Sequence, residues 1–238
     1  MRKEFLEKGI IVIPSVFTDK ECKEIKRQAY SVKDEDIKNA GYPNVPSESM
    51  FNKKSLIFFP SLCNEYLNSI RIDSRMVELV REFVGDDVRQ INNQIYFREQ
   101  GDLDEFAWHQ DTIFREPDIF SDDVESDYFQ TIIAIDNITE ENGAIEFIEG
   151  SHKTIQIPKP TDLRAFERGD LKGKKYTANK GDVLIWSVKI IHGSEKNTSN
   201  SDRMTYMNGF CRTKAAKSYP HYLIGGKVVP KIDPTMIP

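Results

Sequence analysis

From Val88 onward, short runs of β-branched and aromatic residues alternate with turn residues: Val88 to Arg98, Trp108 to Asp111, Tyr128 to Asp136, Ala144 to Ile148, Lys175 to Ala178, Val183 to Trp186, Ile190 to His192 and Arg203 to Arg212. These eight short strands with turn signals between them predict a mainly β chain, a double-stranded β-helix or cupin-like jelly roll whose mouth can hold a ligand. Ahead of them, Gly9 to Pro14 reads as a strand, and Thr18 with Glu21 three residues on forms a capping box that opens a helix. Cys22, Ile25, Ala29 and Val32 then recur at helical spacing, so that face is core. A second helix follows Ser74, with Met76, Val77, Val80, Phe83 and Val84 on one face and Gly85 as its C-cap. Both helices are expected to pack outside the sheets.

Two polar stretches interrupt the pattern. Residues 33–52 read as a long loop, a candidate substrate lid, and residues 112–127 follow the short strand that ends at Asp111 and are expected to overhang the barrel mouth. The tail from Tyr219, with four prolines and Gly225-Gly226, reads as irregular surface chain. The expected organisation is one domain over 1–238: a helical part to about residue 87, a jelly-roll core over about 88–213, and the tail.

Composition narrows the partners. A chain of 238 residues fills one core, and a net charge of -5 gives no basic field for nucleic acid or anionic lipid. A small-molecule substrate is therefore expected, with no nucleic acid and no membrane, and the oligomeric state is not readable. Cys22, Cys63 and Cys211 are odd in number and lack CxxC spacing, which fits reduced thiols rather than a disulfide frame or structural zinc. The first apolar run, Ile10 to Ile13, is far too short for a signal or membrane segment, so a cytoplasmic location is expected.

The chemistry concentrates in His109-Gln110-Asp111, His192 and Arg203. On an extended segment His109 and Asp111 would share a face and close on one ion, with His192 as a third ligand. An H-x-D tripeptide arises by accident in any acidic chain. Its weight here comes from His192 at a strand end before Gly193-Ser194, and from Arg203 opening a nearby strand. Two imidazoles and one carboxylate are the ligand set of an open mononuclear iron site, and a buried guanidinium calls for a carboxylate partner, such as a dicarboxylic co-substrate.

The chain resembles the phytanoyl-CoA dioxygenase family of iron(II)- and 2-oxoglutarate-dependent oxygenases. The resemblance runs through residues 5–14, Trp108-His109-Gln110-Asp111, residues 141–153, and Lys180-Gly181-Asp182 leading to His192-Gly193-Ser194 and Arg203. It implies that His109, Asp111 and His192 are the catalytic metal ligands for iron(II), that Arg203 pairs with the distal carboxylate of 2-oxoglutarate, and that Ser194 donates to the same carboxylate. The implied activity is hydroxylation of a small or medium organic substrate with O2, giving succinate and CO2. The alternatives are the same iron-centred oxidation ending in desaturation, epoxidation or cyclisation, or a jelly roll that binds a metal and a 2-oxo acid without turnover. Where namesake-like members often carry a Lys-Pro pair and an early aromatic residue, this chain has Arg98-Glu99 and Thr131-Ile132-Ile133, so an acyl-CoA substrate is not implied. Asp111 stands where related halogenases carry a small residue, which favours a hydroxylase over a halogenase.

Other residues are assigned by position. Gln94, Tyr96 and Arg98 alternate on one strand with Asn92; facing inward they line the pocket, Gln94 and Tyr96 toward 2-oxoglutarate and Arg98 toward substrate, and facing outward they form a polar surface. Phe114 and Arg115 are further substrate candidates, and Arg212 is a weaker one. Trp108 and Trp186 are assigned to the core, His152 to a structural role, and His221 to the surface.

Overall fold

The computed structural model describes residues 1–42, 56–102, 105–114, 128–153, 173–216 and 218–238. All eight strand regions expected after Val88 form strands: β3 (Val88–Arg98), β4 (Phe106–His109), β5 (Tyr128–Ala134), β6 (Ile145–Phe147), β7 (Lys174–Tyr176), β8 (Val183–Ser187), β9 (His192–Ser194) and β10 (Arg203–Arg212). Four further strands flank them: β1 (Ile10–Ile13), β2 (Leu56–Phe58), β11 (His221–Ile224) and β12 (Lys227–Val228). They build two antiparallel sheets. The larger runs in the order β1-β8-β5-β10-β3-β11-β12, with β2 also on β3, and the smaller runs β4-β9-β6-β7.

Strict alternation sends each strand of the larger sheet to two different cores. On β8, Val183 and Ile185 pack toward the helices, whereas Leu184 and Trp186 point between the sheets. Ile11 of β1, Ile133 of β5, and Met204 and Tyr206 of β10 share the first environment, and Ile10 and Ile132 the second. The inner core also takes Phe147 from the smaller sheet, so the sheets close on each other as a jelly roll.

The helices cover the outer face of the larger sheet. The helix α2 (Asp19–Ser31) starts at Thr18 with both halves of the capping box formed, and buries Cys22, Ile25 and Ala29. The helix α5 (Ser74–Phe83) is capped by Asp73 and buries Met76, Val77, Val80 and Phe83; its C-cap is Val84, with Gly85 next in the left-handed region at φ 115°. The helices α1 (Arg2–Lys8) and α4 (Glu65–Arg71) lie outside the expected pattern. α1 is short and ends at Gly9, whose φ of 85° only glycine adopts without strain.

Two sequence expectations are corrected. Part of the stretch expected as a loop over 33–52 is helical, α3 (Asp34–Asn39). Its acidic first turn complements the helix dipole, and Ile37 is buried against Tyr42, Phe59 and Ile232. The rest of that stretch, residues 43–52, lies outside the described residues. The tail is not irregular, because β11 and β12 form a hairpin joined by Gly225-Gly226, both at positive φ as a tight hairpin turn requires. β11 pairs with β3, and Tyr222 and Leu223 are fully buried, so His221 is a half-buried strand residue opposite Arg89 rather than a surface one. Among the described residues, no helix is long and apolar enough to cross a membrane.

Candidate metal centre and carboxylate anchor

The register of the smaller sheet pairs His109 at the end of β4 directly with His192 at the start of β9. Their rings lie 4.2 Å apart between centroids. His109 Nδ1 faces the Ala107 carbonyl at 2.8 Å, and His192 Nδ1 faces the Ile190 carbonyl at 3.0 Å. A neutral imidazole that donates from Nδ1 to a carbonyl leaves Nε2 as a bare lone pair, which is how metal-ligating histidines are oriented. Burial, then the neighbouring His192, lower the His109 pKa to about 4 against the opposing pull of Asp111, which keeps that ring in the neutral ligand form.

Asp111 reaches the same point by a different route from the one its spacing suggests. The strand stops at His109, and Asp111 opens a 3-10 helix (Asp111–Phe114), so the shared-face argument for an extended segment does not hold. The turn is fixed by Gln110, a buried side chain that donates to the Lys189 carbonyl at 2.5 Å. It places Asp111 Oδ1 at 3.8 Å from both Nε2 atoms. One donor atom from each of the three residues lies within 4.8 Å of the others, and among the described residues no other such group of three is found. Trp186 donates from Nε1 to Asp111 Oδ2 at 3.1 Å, while Phe147 stacks on His192 at 5.5 Å. The sequence placed Trp186 in the core, where it is, but gave no hint of this bond. Its one trace there is the inward alternation of Leu184 and Trp186.

Arg203 begins β10 and is buried. Its Nη1 donates to the Gly143 carbonyl, while Nε is buried and finds no acceptor among the described residues. Burial, then the nearby Arg98, lower its pKa to about 9 despite Asp102. A buried guanidinium whose Nε is unmet among the described residues suits an anionic ligand. Gly143 packs on the backbone of Glu195 and Lys196, so the Arg203 head lies beside the chain that continues β9 past buried Ser194. The donor set and this orphaned Nε together fit an octahedral ion and a carboxylate ligand.

The register also settles which way β3 faces. Arg98 pairs with Arg203, Tyr96 with Thr205, Gln94 with Met207 and Asn92 with Gly209. Met207 packs on the inner core, so this alternate set points inward. Arg98 therefore sits at the Arg203 end, where its Nη1 donates to the Glu195 carbonyl, and Gln94 and Tyr96 follow along the wall. The Phe114 side chain and Arg115 lie outside the described residues, as does 115–127, most of the mouth loop. Trp108 is fully buried on the side of β4 opposite His109, next to Glu146 and Gly173. His152 Nε2 faces the Leu6 carbonyl at 3.3 Å, and its ring packs over Gly9, away from the metal-ligand cluster. Arg212 donates to the Val84 carbonyl at 2.9 Å, on the helix side of the sheet.

The chain is similar to known proteins in sequence and in fold. The profile of the phytanoyl-CoA dioxygenase family (PhyH) matches residues 5–205. A probable alpha-ketoglutarate-dependent hypophosphite dioxygenase of Stutzerimonas stutzeri is 26% identical over 92% of this chain and 79% of its own. Among solved structures, the non-heme monooxygenase ThoJ superposes with a TM-score of 0.73 over 99% of this chain and 85% of its own at 15% identity. The alpha ketoglutarate dependent carbocyclase SnoK from nogalamycin biosynthesis gives 0.70 over 91% and 84% at 17% identity. The chain belongs to the phytanoyl-CoA dioxygenase family of iron(II)- and 2-oxoglutarate-dependent oxygenases.

Proposed function

We propose that this protein, acting as one domain, hydroxylates a small or medium organic molecule, with His109, Asp111 and His192 holding iron(II) and Arg203 with Ser194 holding 2-oxoglutarate. The observation that carries the reading is the pairing of three convergent donor atoms with a buried guanidinium whose Nε has no acceptor among the described residues. When bound, iron(II) would supply the open coordination positions at which 2-oxoglutarate and O2 react, with succinate and CO2 as co-products.

The chain's own residues prepare that site. The Ala107 and Ile190 carbonyls hold the imidazoles so that both Nε2 lone pairs converge. Trp186 fixes the Asp111 carboxylate so that Oδ1 remains toward the ion. Arg203 meets the far carboxylate of 2-oxoglutarate, which restores the charge balance that burial denies the free guanidinium. Arg98, at the same end of the barrel, adds positive charge behind that anchor.

Anaerobic titration of the iron(II)-loaded protein with 2-oxoglutarate tests the reading. The weak visible charge-transfer band of a chelated 2-oxo acid is expected in wild type and lost in His192→Ala. Folded, metal-loaded protein without the band would overturn the reading, and a band without succinate formation in air would favour the binding protein that does not turn over. The solved neighbours include an alpha ketoglutarate dependent epimerase, SnoN, and the carbocyclase SnoK, which keeps a second outcome of the same oxidation in view. A product carrying one added oxygen as a new hydroxyl supports hydroxylation, whereas an epoxide or a product that has lost two hydrogens supports epoxidation, desaturation or ring closure.

A further inference from the structure

One transverse row of the larger sheet links Trp186, Gln130, Gly209 and Asn92: Gln130 pairs with Trp186, and Gly209 pairs with Gln130 on one side and Asn92 on the other. All four point between the sheets, since Trp186 itself and the residues two steps along, Ile132 and Met207, belong to or pack on the inner core. Trp186 is the side chain that grips Asp111, so the row begins at the metal centre.

The row contains two buried acceptors with nothing to accept. Asn92 is 8% exposed and Gln130 2%, yet Asn92 Oδ1 and Gln130 Oε1 have no hydrogen-bond donor among the described residues. Gln130 Nε2 donates to the Tyr128 hydroxyl at 3.0 Å, which turns its oxygen the other way. Both oxygens converge over Gly209, where an added Cβ would meet Asn92 Oδ1 at 2.5 Å and Gln130 Oε1 at 2.6 Å. Gly209 carries no side chain and is followed by a bulge, so the two amide oxygens form a cradle over its Cα that a larger residue would displace. Buried acceptors without donors cost stability, and two of them side by side on a row that begins at Trp186 suit a ligand that brings donors.

That ligand is not 2-oxoglutarate. Arg203 anchors its far carboxylate at the opposite end of β10, roughly 20 Å along the strand from Gly209 at the usual rise per residue, and the cofactor extends from there only as far as the metal. The cradle lies toward the opposite end of the larger sheet, where β5 begins and β10 ends.

We propose that Asn92 and Gln130 form a substrate subsite that accepts hydrogen bonds from an O–H or N–H group, so that the substrate is a hydroxylated or amine-bearing molecule held by that group beside the metal. The subsite rests on the oxygenase reading above, and its test separates the two.

The first measurement needs neither metal nor cofactor. Asn92→Leu removes a buried acceptor that has no donor, so the metal-free variant is expected to melt above wild type; a lower Tm would mean that the amide makes a structural bond, and would overturn the subsite. The second is saturation-transfer NMR with glycerol and ethanolamine, each beside its fully O- and N-methylated counterpart that has no O–H or N–H, on full-length protein loaded with zinc(II) and 2-oxoglutarate. At least a fivefold stronger signal for the donor-bearing probes is expected, and its loss in Asn92→Leu and in Gly209→Ala, which fills the cradle. Equal signals from methylated probes, signals unchanged in both variants, or no signal from any donor probe would each overturn the proposal. The charge-transfer band of wild type reports separately on the oxygenase reading.

Discussion

The indole Nε1 of Trp186 donates to the Asp111 carboxylate at 3.1 Å, so a residue of the larger sheet orients a candidate metal ligand that belongs to the chain leaving the smaller one. Hydrogen bonds to metal-binding carboxylates fix their orientation, and losing one typically costs 10–100-fold in metal affinity. Trp186→Phe keeps most of the packing and deletes the donor. Equilibrium dialysis should show iron(II) binding weakened by about tenfold or more, with the fold intact by circular dichroism; unchanged affinity would remove Trp186 from the metal centre.

Arg203 is a buried cation with an Nε unmet among the described residues, beside the chain that continues past Ser194. Arg203→Ala should raise the 2-oxoglutarate concentration needed for half-saturation of the charge-transfer band by about 100-fold, the equivalent of about 3 kcal/mol. Arg203→Lys keeps the charge but not the planar fork and should fall between the two. An Arg203→Ala protein that binds 2-oxoglutarate normally would refute the anchor.

Arg71 at the end of α4 is 1% exposed and is held by neutral partners: Gln90 at 2.8 Å, Asn68 at 2.9 Å, and the Val229 and Pro230 carbonyls at 3.2 Å each. It ties the segment after β12 to the helical layer. Arg71→Ala leaves these acceptors buried and opens a cavity, so urea unfolding should show a loss of about 3 kcal/mol. A loss below about 1 kcal/mol would show that water replaces the guanidinium without penalty.

The hydrogen bond from Arg75 to Glu21, at 2.6 Å, holds the Glu21 carboxyl down to about 2 from its usual 4.5, helped by the Thr18 amide. A depressed carboxyl pKa stabilises the folded state above its unfolded value, and that stability is lost as pH falls through the folded one. Wild type should exceed Glu21→Gln by about 1 kcal/mol at pH 7, a figure reduced because Arg75 is partly exposed. The gap should close progressively between pH 4.5 and 2, the interval set by the two values. A gap that persists at pH 2 would place the effect in packing or capping instead.

The eight strand regions of the jelly-roll core and the two amphipathic helices were legible because hydrophobic period is a local property. The spans expected for β3 and β10 match the observed strands, and the Thr18–Glu21 capping box formed as written. The C-terminal hairpin was not legible, because its Gly225-Gly226 turn also reads as loose chain until Tyr222 and Leu223 find a buried place beside β3. The Asp34–Asn39 helix was hidden for the same reason: a single apolar residue, Ile37, acquires meaning only from Tyr42, Phe59 and Ile232, which are distant in sequence or outside any period.

By itself, the sequence determined the jelly-roll class, the identity of the candidate metal ligands and the presence of a buried arginine, since these depend on residue types and on spacing along the chain. Tertiary structure alone decided how Asp111 turns into a 3-10 helix to face both imidazoles, that Trp186 orients it, that Gln94, Tyr96 and Arg98 face inward, and that Asn92 and Gln130 meet over Gly209. Each of those relations crosses between segments far apart in sequence, and the pairing of distant strands, which a local pattern does not specify, fixes which side chains become neighbours.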